Sequence, residues 1–590
     1  MSRTTFVRTK HNRGNDRRLI IIKTVFFLFG LTLVGRLFEL QILKGKEYSL
    51  KAEEQYSVRK AVEAPRGLIL VHEHTQEDRE TELFAIARNI NRHLIYAIPK
   101  DIENFEETIG ILSPLLGITN DELSQKLKKP LDPFEPLVHG ASDEMWALIQ
   151  EQRLRGIGEQ IEYSRDYPEG MLFGTISGFV QGEGDDRRGQ YGIEQAYDEI
   201  LKGVRGLFDV EQDAKGNVIP IGREHSFAAV PGSDIVLTLD HAIQYRACEQ
   251  LDNAVKLHGA KSGSVVILDS MTGAVRALCV APRFDPNRYG SVKDLSVYIN
   301  QVVSNSWEPG SVFKAITMAA ALEHEAVTPE TTYVDTGSVT LDKETIKNAD
   351  NKVYGEQTMT QVLMNSINTG AVYAQRKVGK DIFRAMVEAF GFGRKTGIEL
   401  TAENTGNISS LSKKGEIYAA TASFGQGITV TPLQMAAAFG AIANGGVLMK
   451  PYIVEEIVSA KGQRSRTAPR EVGRVISPRT AVVLRAMLTT VVEEGHGKRA
   501  GVPGYWVAGK TGTAQVARQG GKGYDPHKTV GSFIGFGPVD APRFVILVKI
   551  DEPSSVKFAE STAAPVFGEL ADFLFQYYRI KPTREIIQKK

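Results

Sequence analysis

Four Ser-x-x-Lys pairs in the chain have the residue types and the spacing for serine acyl-transfer chemistry. They are Ser57 with Lys60, Ser311 with Lys314, Ser410 with Lys413, and Ser554 with Lys557. Residues i and i+3 are neighbours on a helix, so a neutral lysine amine at this spacing can take the proton of a nucleophilic serine. The pattern is short, and a single match is most often a solvated surface pair.

The sequence around Ser311 separates it from the other three serines. Pro309 and Gly310 interrupt the preceding segment, and the apolar run VFKAITMAAALEH follows. This pattern predicts Ser311 in the first turn of a buried helix, where the dipole favours an alkoxide and a free N–H can serve an oxyanion. The other pairs lie in charged or loop-like stretches. Ser311 and Lys314 are therefore the predicted nucleophile and base.

A second motif, Ser366-Ile367-Asn368, lies in TQVLMNSINTGAVYAQ. Serine and asparagine are among the commonest helix caps, so by itself the motif favours a cap. In an acyl-transfer site the hydroxyl of Ser366 would relay a proton, and the amide of Asn368 would hold a peptide group of the substrate.

The triplet Lys-Thr-Gly occurs twice, beginning at Lys395 and at Lys510. A site for peptides needs a cation and backbone donors on an exposed strand, against which the substrate can lie as an added strand. Lys510 follows the strand-like YWVAG, Gly512 allows close approach, and Thr511 and Thr513 supply hydroxyls. Lys395 follows Phe-Gly-Phe-Gly-Arg, which predicts a helix end with glycine caps and a turn. The second triplet is the predicted catalytic one.

The elements that must position these motifs form an α/β pattern from Pro231 onward. GSDIVLTLD predicts a strand, HAIQYRACEQLDNAVKLHG a helix, and SGSVVILDSMTGAVRALCV a hairpin turning at 271–273. Strands return in GYWVAGKTGTAQV, VGSFIGFGP and PRFVILVKI, and TAAPVFGELADFLFQYYRI predicts a final helix. A long helical block lies between. The pattern predicts a sheet domain with an inserted all-helical subdomain, after an irregular α+β region.

The N-terminus combines a basic tail with an apolar run. Six lysine and arginine residues face only Asp16 before the run LIIIKTVFFLFGLTLVG, which begins at Leu19. No small-residue cleavage site follows, so a membrane anchor is favoured over a cleaved signal peptide or a buried helix. Lys23 is close enough to the cytoplasmic end to snorkel. The basic tail predicts a cytoplasmic N-terminus, with everything after residue 44 outside.

Composition excludes several classes of function. A net charge of +1 gives no reason to expect a nucleic-acid partner. The absence of HExxH and paired CxxC patterns predicts no metal, and no cofactor is implied. The only cysteines are Cys248 and Cys279. Exported proteins that depend on disulfides usually contain more, so we expect these two to remain unbridged.

The three motifs, in the order SVFK, SIN and KTG, resemble those of the penicillin-binding transpeptidases and serine β-lactamases. EPGSVFK, ASFGQGITVTPLQMAAAFGAIANGG and AGKTGTAQ are similar to class B penicillin-binding proteins. APRG at 64–67, RDYPEG at 165–170 and GQYGIEQAYDEILKGVRG at 189–206 resemble their non-catalytic pedestal. One departure follows Gly67, where the family usually has an Asp-Arg-x-Gly turn and this chain reads LILVHEHTQEDRETELFAIARN. The resemblance leaves the fold of that pedestal head open.

The resemblance implies a penicillin-binding, β-lactamase-like transpeptidase fold, with an antiparallel sheet flanked by helices, behind an α+β pedestal and one transmembrane helix. The implied domains are a cytoplasmic tail at 1–18, a transmembrane helix with its extension at 19–43, a dimerisation-type pedestal at 44–230, a transpeptidase domain at 231–578 and a C-terminal tail at 579–590.

The resemblance also implies a peptidoglycan D,D-transpeptidase. Ser311 would attack the D-Ala-D-Ala carbonyl of a stem peptide, and an amine of a neighbouring stem would resolve the acyl-enzyme as a cross-link. Lys314 would be the base, with its pKa lowered by Lys510. Ser366 would relay the proton to the leaving amine, and Asn368 would hold the acyl amide.

The substrate-binding part of the implied site lies around the second triplet. Thr511, Gly512 and Thr513 would bind the substrate, the two threonines through its carboxylate. The backbone N–H groups of Ser311 and Thr513 would form the oxyanion hole. β-Lactams would acylate Ser311.

Other activities share some of these motifs, and the resemblance also implies binding partners. A β-lactamase needs a carboxylate for deacylation, and Glu403 with Asn407 matches a bare Glu-x-x-x-Asn. A D,D-carboxypeptidase and a catalytically silent scaffold are further alternatives. EPGS and FGQG-x-x-VTPLQ resemble the division type more than the elongation type. The implied partners are stem peptides, nascent glycan strands, β-lactams, the membrane and a polytopic glycan polymerase.

Overall fold

The computed structural model of the chain describes residues 13–46, 48, 57–73, 82–129, 132, 134–182, 186–211, 225–518, 523–556 and 558–585. The first twelve residues of the predicted cytoplasmic tail, Lys557 and residues 586–590 lie outside the described residues. The chain divides into two compact units, Met1–Ala64 with Val204–Val230 and Pro65–Gly203 with Pro231–Lys590.

The α-helices of the described residues are numbered in chain order. They are α1 Arg13–Phe38, α2 Phe105–Leu116, α3 Asn120–Leu127, α4 Asp143–Glu151, α5 Gly174–Ser177, α6 Gly192–Ala196, α7 Asp198–Leu201, α8 His241–His258, α9 Gln301–Ser304, α10 Lys314–Glu323, α11 Met359–Met364, α12 Asn368–Val378, α13 Lys380–Ala389, α14 Glu416–Ala422, α15 Pro432–Ala443, α16 Pro478–Glu493 and α17 Ala563–Tyr577.

The strands are numbered in the same way. They are β1 Ser57–Val62, β2 Ile69–His72, β3 Leu83–Ala97, β4 Glu135–Ala141, β5 Ile157–Asp166, β6 Phe179–Gln181, β7 Arg188–Gln190, β8 Gly206–Glu211, β9 His225–Phe227, β10 Asp234–Asp240, β11 Ser262–Asp269, β12 Val275–Ala281, β13 Thr332–Asp335, β14 Ser338–Leu341, β15 Glu344–Lys347, β16 Gly355–Thr358, β17 Val447–Met449, β18 Val454–Val458, β19 Arg464–Arg466, β20 Glu471–Arg474, β21 Ala508–Ala517, β22 Tyr524–Gly537 and β23 Phe544–Asp551.

The first unit contains the apolar N-terminal helix and a small sheet. Helix α1 continues into a π-helical turn at Glu39–Leu43. The segment Arg18–Leu43 is long and apolar enough to cross a membrane. The most apolar part of this segment is not buried against the rest of the protein. Strands β1, β8 and β9 pair antiparallel in that order.

The central sheet of the second unit has the order β12-β11-β23-β22-β21, with every neighbouring pair antiparallel. Helices α8 and α17 pack on one face, and α15 packs on the other. Helix α15 is apolar on all sides and wholly buried, and it begins with a capping box between Thr431 and Gln434. Strand β21 therefore lies at an edge of a sheet that is covered on both faces.

The block between β12 and β17 carries the predicted helices and some short strands. Helices α9 to α15 lie in this segment, together with the antiparallel pairs β13 with β16 and β14 with β15. In SVTL and ETIK, which form β14 and β15, β-branched residues are frequent, as is typical of short exposed hairpins. The inserted subdomain thus contains two small antiparallel two-stranded sheets besides its helices.

The described residues between 65 and 203 include the segment after Gly67, for which the sequence implied no fold. Strand β2 pairs parallel to β10 and antiparallel to β3, and β3 pairs with β4 and β5. The segment that departs from the family pattern therefore contributes two strands to a larger sheet of order β19-β18-β10-β2-β3-β4. Helices α2, α3 and α4 supply apolar residues to a core with this sheet.

The three pedestal motifs meet in a buried ion cluster. Arg66 of APRG contacts Glu194 at 2.6 Å and Asp198 at 2.7 Å, and Arg165 of RDYPEG contacts Glu194 at 2.7 Å. The Glu194 side chain has no exposed surface. Removal of one partner from such a cluster leaves an uncompensated buried charge, so the motif residues are mutually dependent.

The expectation that the two cysteines remain unbridged was wrong. Cys248 on α8 and Cys279 on β12 form a disulfide, with their Cα atoms 5.4 Å apart. Helix α8 packs directly on β12, which brings two distant apolar positions together within the core. Counting cysteines could not reveal this pairing, because it depends on where the helix crosses the sheet.

The disulfide closes a loop across 31 residues of sequence, so replacing both cysteines with alanine is expected to lower the free energy of unfolding by about 2–4 kcal/mol. Urea unfolding of the full-length chain in detergent, with and without dithiothreitol, measures this. The double variant serves as the control because it is insensitive to the reductant. Equal midpoints for the wild-type chain in both conditions would contradict the prediction.

Candidate active site

Ser311 lies in a 3-10 turn, Gly310–Phe313, that leads directly into α10. Gly310 has φ +58° and donates its N–H to the carbonyl of Gly425 at 3.1 Å. A Cβ atom at position 425 would lie 2.2 Å from the Gly310 carbonyl oxygen, so only glycine fits there. The FGQG segment thus supports the turn that presents Ser311.

Lys314 is 1% exposed, and its ammonium is surrounded by oxygen atoms. Nζ donates to Ser311 Oγ at 3.1 Å, to Asn368 Oδ1 at 2.8 Å, and to the hydroxyl and carbonyl of Ser366 at 3.2 and 2.5 Å. The lysine therefore joins Ser311 to the second motif.

Ser366 lies between α11 and α12 with φ +54°, a left-handed conformation that is uncommon for serine. This conformation directs both its hydroxyl and its carbonyl to Lys314. Lys510 Nζ donates to the same hydroxyl at 3.0 Å. The Ser366 hydroxyl is therefore in hydrogen-bond contact with both lysines, which is where a proton relay must lie.

Strand β21 places the second Lys-Thr-Gly triplet beside Ser311. A Cβ atom at Gly512 would lie 2.9 Å from Val312 Cγ1 and 3.0 Å from the Pro309 carbonyl, so this glycine permits the close approach of strand and turn. Thr511 is 7% exposed, whereas Thr513 is exposed and its Oγ1 accepts the Ala559 N–H at 3.2 Å. The outward backbone groups of an edge strand can pair with an extended peptide.

Burial lowers the pKa of both catalytic-site lysines. Burial of Lys314 and, after that, the charge of Lys510 hold the pKa of Lys314 well below its usual value. Burial lowers the pKa of Lys510 to about 7. Among the described residues, no carboxylate hydrogen-bonds either ammonium. The lowered pKa favours the neutral amine form of Lys314, as a base requires.

Comparison with known proteins matches the same segments. The model of the penicillin-binding protein transpeptidase domain matches residues 263–572, and that of the penicillin-binding protein dimerisation domain matches residues 61–237. The chain belongs to the penicillin-binding protein transpeptidase family. The resemblance to class B penicillin-binding proteins that the sequence motifs indicated is confirmed.

Relatives of this penicillin-binding protein extend over nearly the whole chain. Stage V sporulation protein D of Bacillus subtilis is 32% identical over 97% of this chain and 88% of its own length. A peptidoglycan D,D-transpeptidase FtsI homolog of Mesostigma viride is 30% identical over 96% of both chains. Penicillin-binding protein 3 of Mycobacterium tuberculosis, complexed with aztreonam, is 28% identical, with a TM-score of 0.68 over 90% of this chain and all of that chain.

The other Lys-Thr-Gly triplet of this penicillin-binding protein, which begins at Lys395, lies in a turn that side-chain hydrogen bonds stabilise. Lys395 is exposed, and the carboxylate of Glu403 accepts hydrogen bonds from the Thr396 N–H at 2.6 Å, the Thr396 hydroxyl at 2.5 Å and the Gly397 N–H at 3.1 Å. The prediction of a helix end and turn at 395 is confirmed. Glu403, the residue considered for a β-lactamase, is engaged in that turn.

Two of the remaining Ser-x-x-Lys pairs lack the catalytic arrangement. Ser57 and Lys60 lie on strand β1 rather than on a helix, so the i, i+3 spacing does not have its helical meaning there. Ser410 lies in a short 3-10 turn, and Lys413 Nζ stands 4.9 Å from the centroid of the Tyr418 ring. Lys557 lies outside the described residues, so the fourth pair stays unassessed.

One polar contact beside the site was missed by sequence reasoning. Glu308, three residues before Ser311, accepts the Gly427 N–H at 3.0 Å and the Tyr524 hydroxyl at 2.9 Å. Burial raises the pKa of this carboxyl. The contact joins the Ser311 turn to the FGQG segment and to strand β22. The motif EPGS contained the glutamate, but no pattern in the sequence indicated Tyr524 as its partner.

No metal site emerges from the described part of the chain, where no three His, Cys, Asp or Glu side chains come together in a suitable cluster. Chemistry without a metal remains a prediction.

The stability of the wild-type chain relative to Lys510→Met is expected to rise as the pH increases from about 7 toward 10.5, because folded Lys510 releases its proton near pH 7 and an unfolded lysine near 10.5. Between these values the unfolded state binds more protons, so increasing pH favours folding. Thermal melting of both full-length chains in detergent across this range measures the difference. A difference that stays constant with pH would contradict the prediction.

Proposed function

We propose that this chain is a peptidoglycan D,D-transpeptidase in which Ser311 forms an acyl-enzyme with the stem peptide. The observation that carries the proposal is the set of hydrogen bonds at Lys314, which contacts the Ser311 hydroxyl at 3.1 Å and both polar groups of Ser366 while almost wholly buried. This arrangement supplies a nucleophile, a base of lowered pKa and a proton relay at one point.

In the acylation step, Ser311 Oγ attacks the carbonyl carbon of the penultimate D-Ala while neutral Lys314 takes the hydroxyl proton. The backbone N–H groups of Ser311 and Thr513 stabilise the oxyanion of the tetrahedral intermediate. Ser366 then passes a proton to the amine of the terminal D-Ala, and the C–N bond breaks as the ester forms. The contact of Ser366 with both lysines supports this relay.

The substrate lies along strand β21, with its terminal carboxylate at Thr511 and Thr513 and its backbone beside Gly512. Lys510 supplies positive charge next to that carboxylate. Asn368 holds the acyl amide opposite the strand. The edge position of β21 and the exposure of Thr513 support this mode of binding.

In the second step the amine of a neighbouring stem peptide attacks the ester carbonyl, and the bond to Ser311 Oγ breaks as the cross-link forms. A carboxypeptidase or β-lactamase would use water here. The hydrogen bonds of Glu403 to Thr396 and Gly397 support an amine as the acceptor, because they hold this carboxylate in a turn.

The placement of the enzyme in the cell is part of the same proposal. The basic tail at 1–18 stays in the cytoplasm, the segment 19–43 crosses the cytoplasmic membrane once, and the pedestal at 44–230, the transpeptidase domain at 231–578 and the tail at 579–590 lie outside. The apolar segment Arg18–Leu43 supports the single crossing, and the positive tail supports the orientation. The domain acts on nascent glycan strands beside a polytopic glycan polymerase.

The site of action is the division septum. The EPGS and FGQG motifs, which the structure brings into contact at Gly310 and Gly425, resemble the division type, and an FtsI homolog is among the relatives. Depletion of the protein is expected to block septation while cells continue to grow in length. Loss of elongation with normal septa would assign the protein to the elongation type.

Mass spectrometry of the labelled peptide tests the acylation site. The full-length chain in detergent is incubated with benzylpenicillin, digested and searched for the penicilloyl adduct. We expect the adduct on the peptide that contains Ser311, and a lifetime well beyond that of the labelling reaction. An adduct on another serine would contradict the assignment, and release within seconds would indicate a β-lactamase.

A further inference from the structure

A buried carboxylate, that of Asp335, lies next to the second motif and outside the proposed catalytic residues. Asp335, at the end of β13, is 2% exposed. Its oxygens accept hydrogen bonds from the Thr369 hydroxyl at 2.6 Å, from Asn348 Nδ2 at 3.0 and 2.9 Å, and from the N–H groups of Tyr354 at 2.8 Å and Gly337 at 3.1 Å. Every oxygen of this carboxylate is therefore used to join separate segments.

Asn348 extends this cluster toward the active site. Its Oδ1 accepts the Thr369 N–H at 3.1 Å, and its own N–H donates to the Gly337 carbonyl at 3.1 Å. Asn348 and Thr369 are thus fixed to each other as well as to Asp335. A buried donor or acceptor that loses its partner is costly, so the three side chains constrain one another's positions.

Asn348 and Thr369 each lie next to one partner of a hydrogen bond that orients Asn368, since Asn348 follows Lys347 and Thr369 follows Asn368 itself. The Lys347 carbonyl, which precedes Asn348, accepts Asn368 Nδ2 at 3.0 Å. With Nδ2 held there, the amide presents Oδ1 to Lys314 Nζ at 2.8 Å. A rotation of the amide by 180° would instead place an NH₂ group against the ammonium, where two donors meet.

We propose that Asp335 is a positioning residue for the transpeptidase reaction, which acts through Asn348 and Thr369 to hold the Asn368 amide with its oxygen toward Lys314. The inference rests on the proposed role of Asn368. Asp335 makes no contact with the reacting atoms. It fixes the end of β15 against the start of α12, and the Lys347 carbonyl at that junction determines which end of the Asn368 amide faces the base.

The chemical consequence concerns the proton on Lys314. A carbonyl oxygen stabilises the ammonium form, whereas an NH₂ group destabilises it. Lys510 is the charged side chain that faces Lys314 among the described residues, and Ser311, Ser366 and Asn368 are its neutral neighbours. Loss of the Asn368 oxygen would therefore lower the pKa of Lys314 further and misplace the amide that holds the substrate.

The test compares Asp335→Asn with the wild-type chain. The substitution keeps the size of the side chain but places an NH₂ group where carboxylate oxygens accept from Asn348, Tyr354 or Gly337. We expect acylation by a fluorescent penicillin to slow by about 10- to 100-fold, because misplaced groups lose the orientation that the reaction needs. The acidic limb of the pH–rate profile is expected to move to lower pH.

Glu344→Gln is the matched control, since Glu344 is an exposed carboxylate on β15, the strand that contains Lys347. It is expected to leave both the rate and the pH profile unchanged. Where Asp335→Asn does not melt as a folded protein, Thr369→Val is measured in the same way. This change removes the hydroxyl that donates to Asp335 and that also contacts Asn348 Oδ1 at 3.1 Å and the Tyr333 hydroxyl at 3.3 Å. Its acylation rate and pH profile are then interpreted by the same criteria.

The outcomes separate this inference from the proposed function. A folded variant with the wild-type rate overturns the positioning role, and so does a slower variant with an unshifted pH profile, which a purely structural defect would produce. If the wild-type chain is not acylated, or if acylation persists in Ser311→Ala, the proposed function itself fails.

Discussion

Ser311→Ala is expected to abolish covalent labelling of this chain by penicillin. In the proposed mechanism the ester bond of the acyl-enzyme forms at Ser311 Oγ, which accepts a hydrogen bond from Lys314 Nζ at 3.1 Å and lies in the turn that leads into α10. The buried lysines remain in place in this variant, so its fold is expected to persist. Gel fluorescence after incubation with a fluorescent penicillin measures the label.

Ser410→Ala is the matched control for this experiment. Ser410 belongs to another Ser-x-x-Lys pair, but its lysine, Lys413, stands over the Tyr418 ring rather than beside a relay. Labelling of this variant is expected to equal that of the wild-type chain. Loss of the label from Ser410→Ala, or its persistence in Ser311→Ala, would mean that the nucleophile has been assigned to the wrong pair.

Lys510→Ala is expected to slow acylation by about 10²- to 10⁴-fold, the range for loss of one positioned proton-transfer or charge-stabilising group. Lys510 Nζ contacts the Ser366 hydroxyl at 3.0 Å and adds to the lowering of the Lys314 pKa. In the proposed mechanism its removal therefore weakens the relay through Ser366 and raises the pKa of Lys314. A smaller fraction of Lys314 is then neutral at a given pH. Stopped-flow acylation rates across pH 6 to 9 measure both effects.

Lys395→Ala provides the comparison, because it removes the same side chain from the same triplet sequence. Lys395 is exposed in a turn that Glu403 holds through Thr396 and Gly397, and its side chain takes no part in those bonds. We expect an unchanged acylation rate. An equal loss in both lysine variants would contradict the choice of the second triplet.

Local sequence was sufficient for the motifs and for most of the elements that carry them. The glycine and proline before Ser311 predicted a chain break followed by a buried helix, and the structure has the 3-10 turn and α10. The strand-like residues around Lys510 and the glycines around Lys395 distinguished a strand from a turn. These features depend on neighbouring residues and on periodicity, which a single chain displays directly.

Contacts between residues far apart in the chain could not be predicted from the sequence. The Cys248–Cys279 disulfide depends on where α8 crosses β12, and the Glu308–Tyr524 hydrogen bond depends on where β22 passes the Ser311 turn. Asp335 belongs to no motif, and its role became visible only through its bonds to Asn348 and Thr369. A residue's type does not indicate which remote group it will meet.

The sequence by itself determined which residue types are available for acyl transfer, in what order, and on a turn, a helix start or a strand. The tertiary structure decided their chemical state. Lys314 and Lys510 are ordinary lysines in the sequence. Folding lowers the pKa of both by removing them from water, and the charge of Lys510, which meets Lys314 at the Ser366 hydroxyl, lowers the pKa of Lys314 further. Desolvation and charge proximity are properties of the packed chain, so they arise only when the three motifs meet.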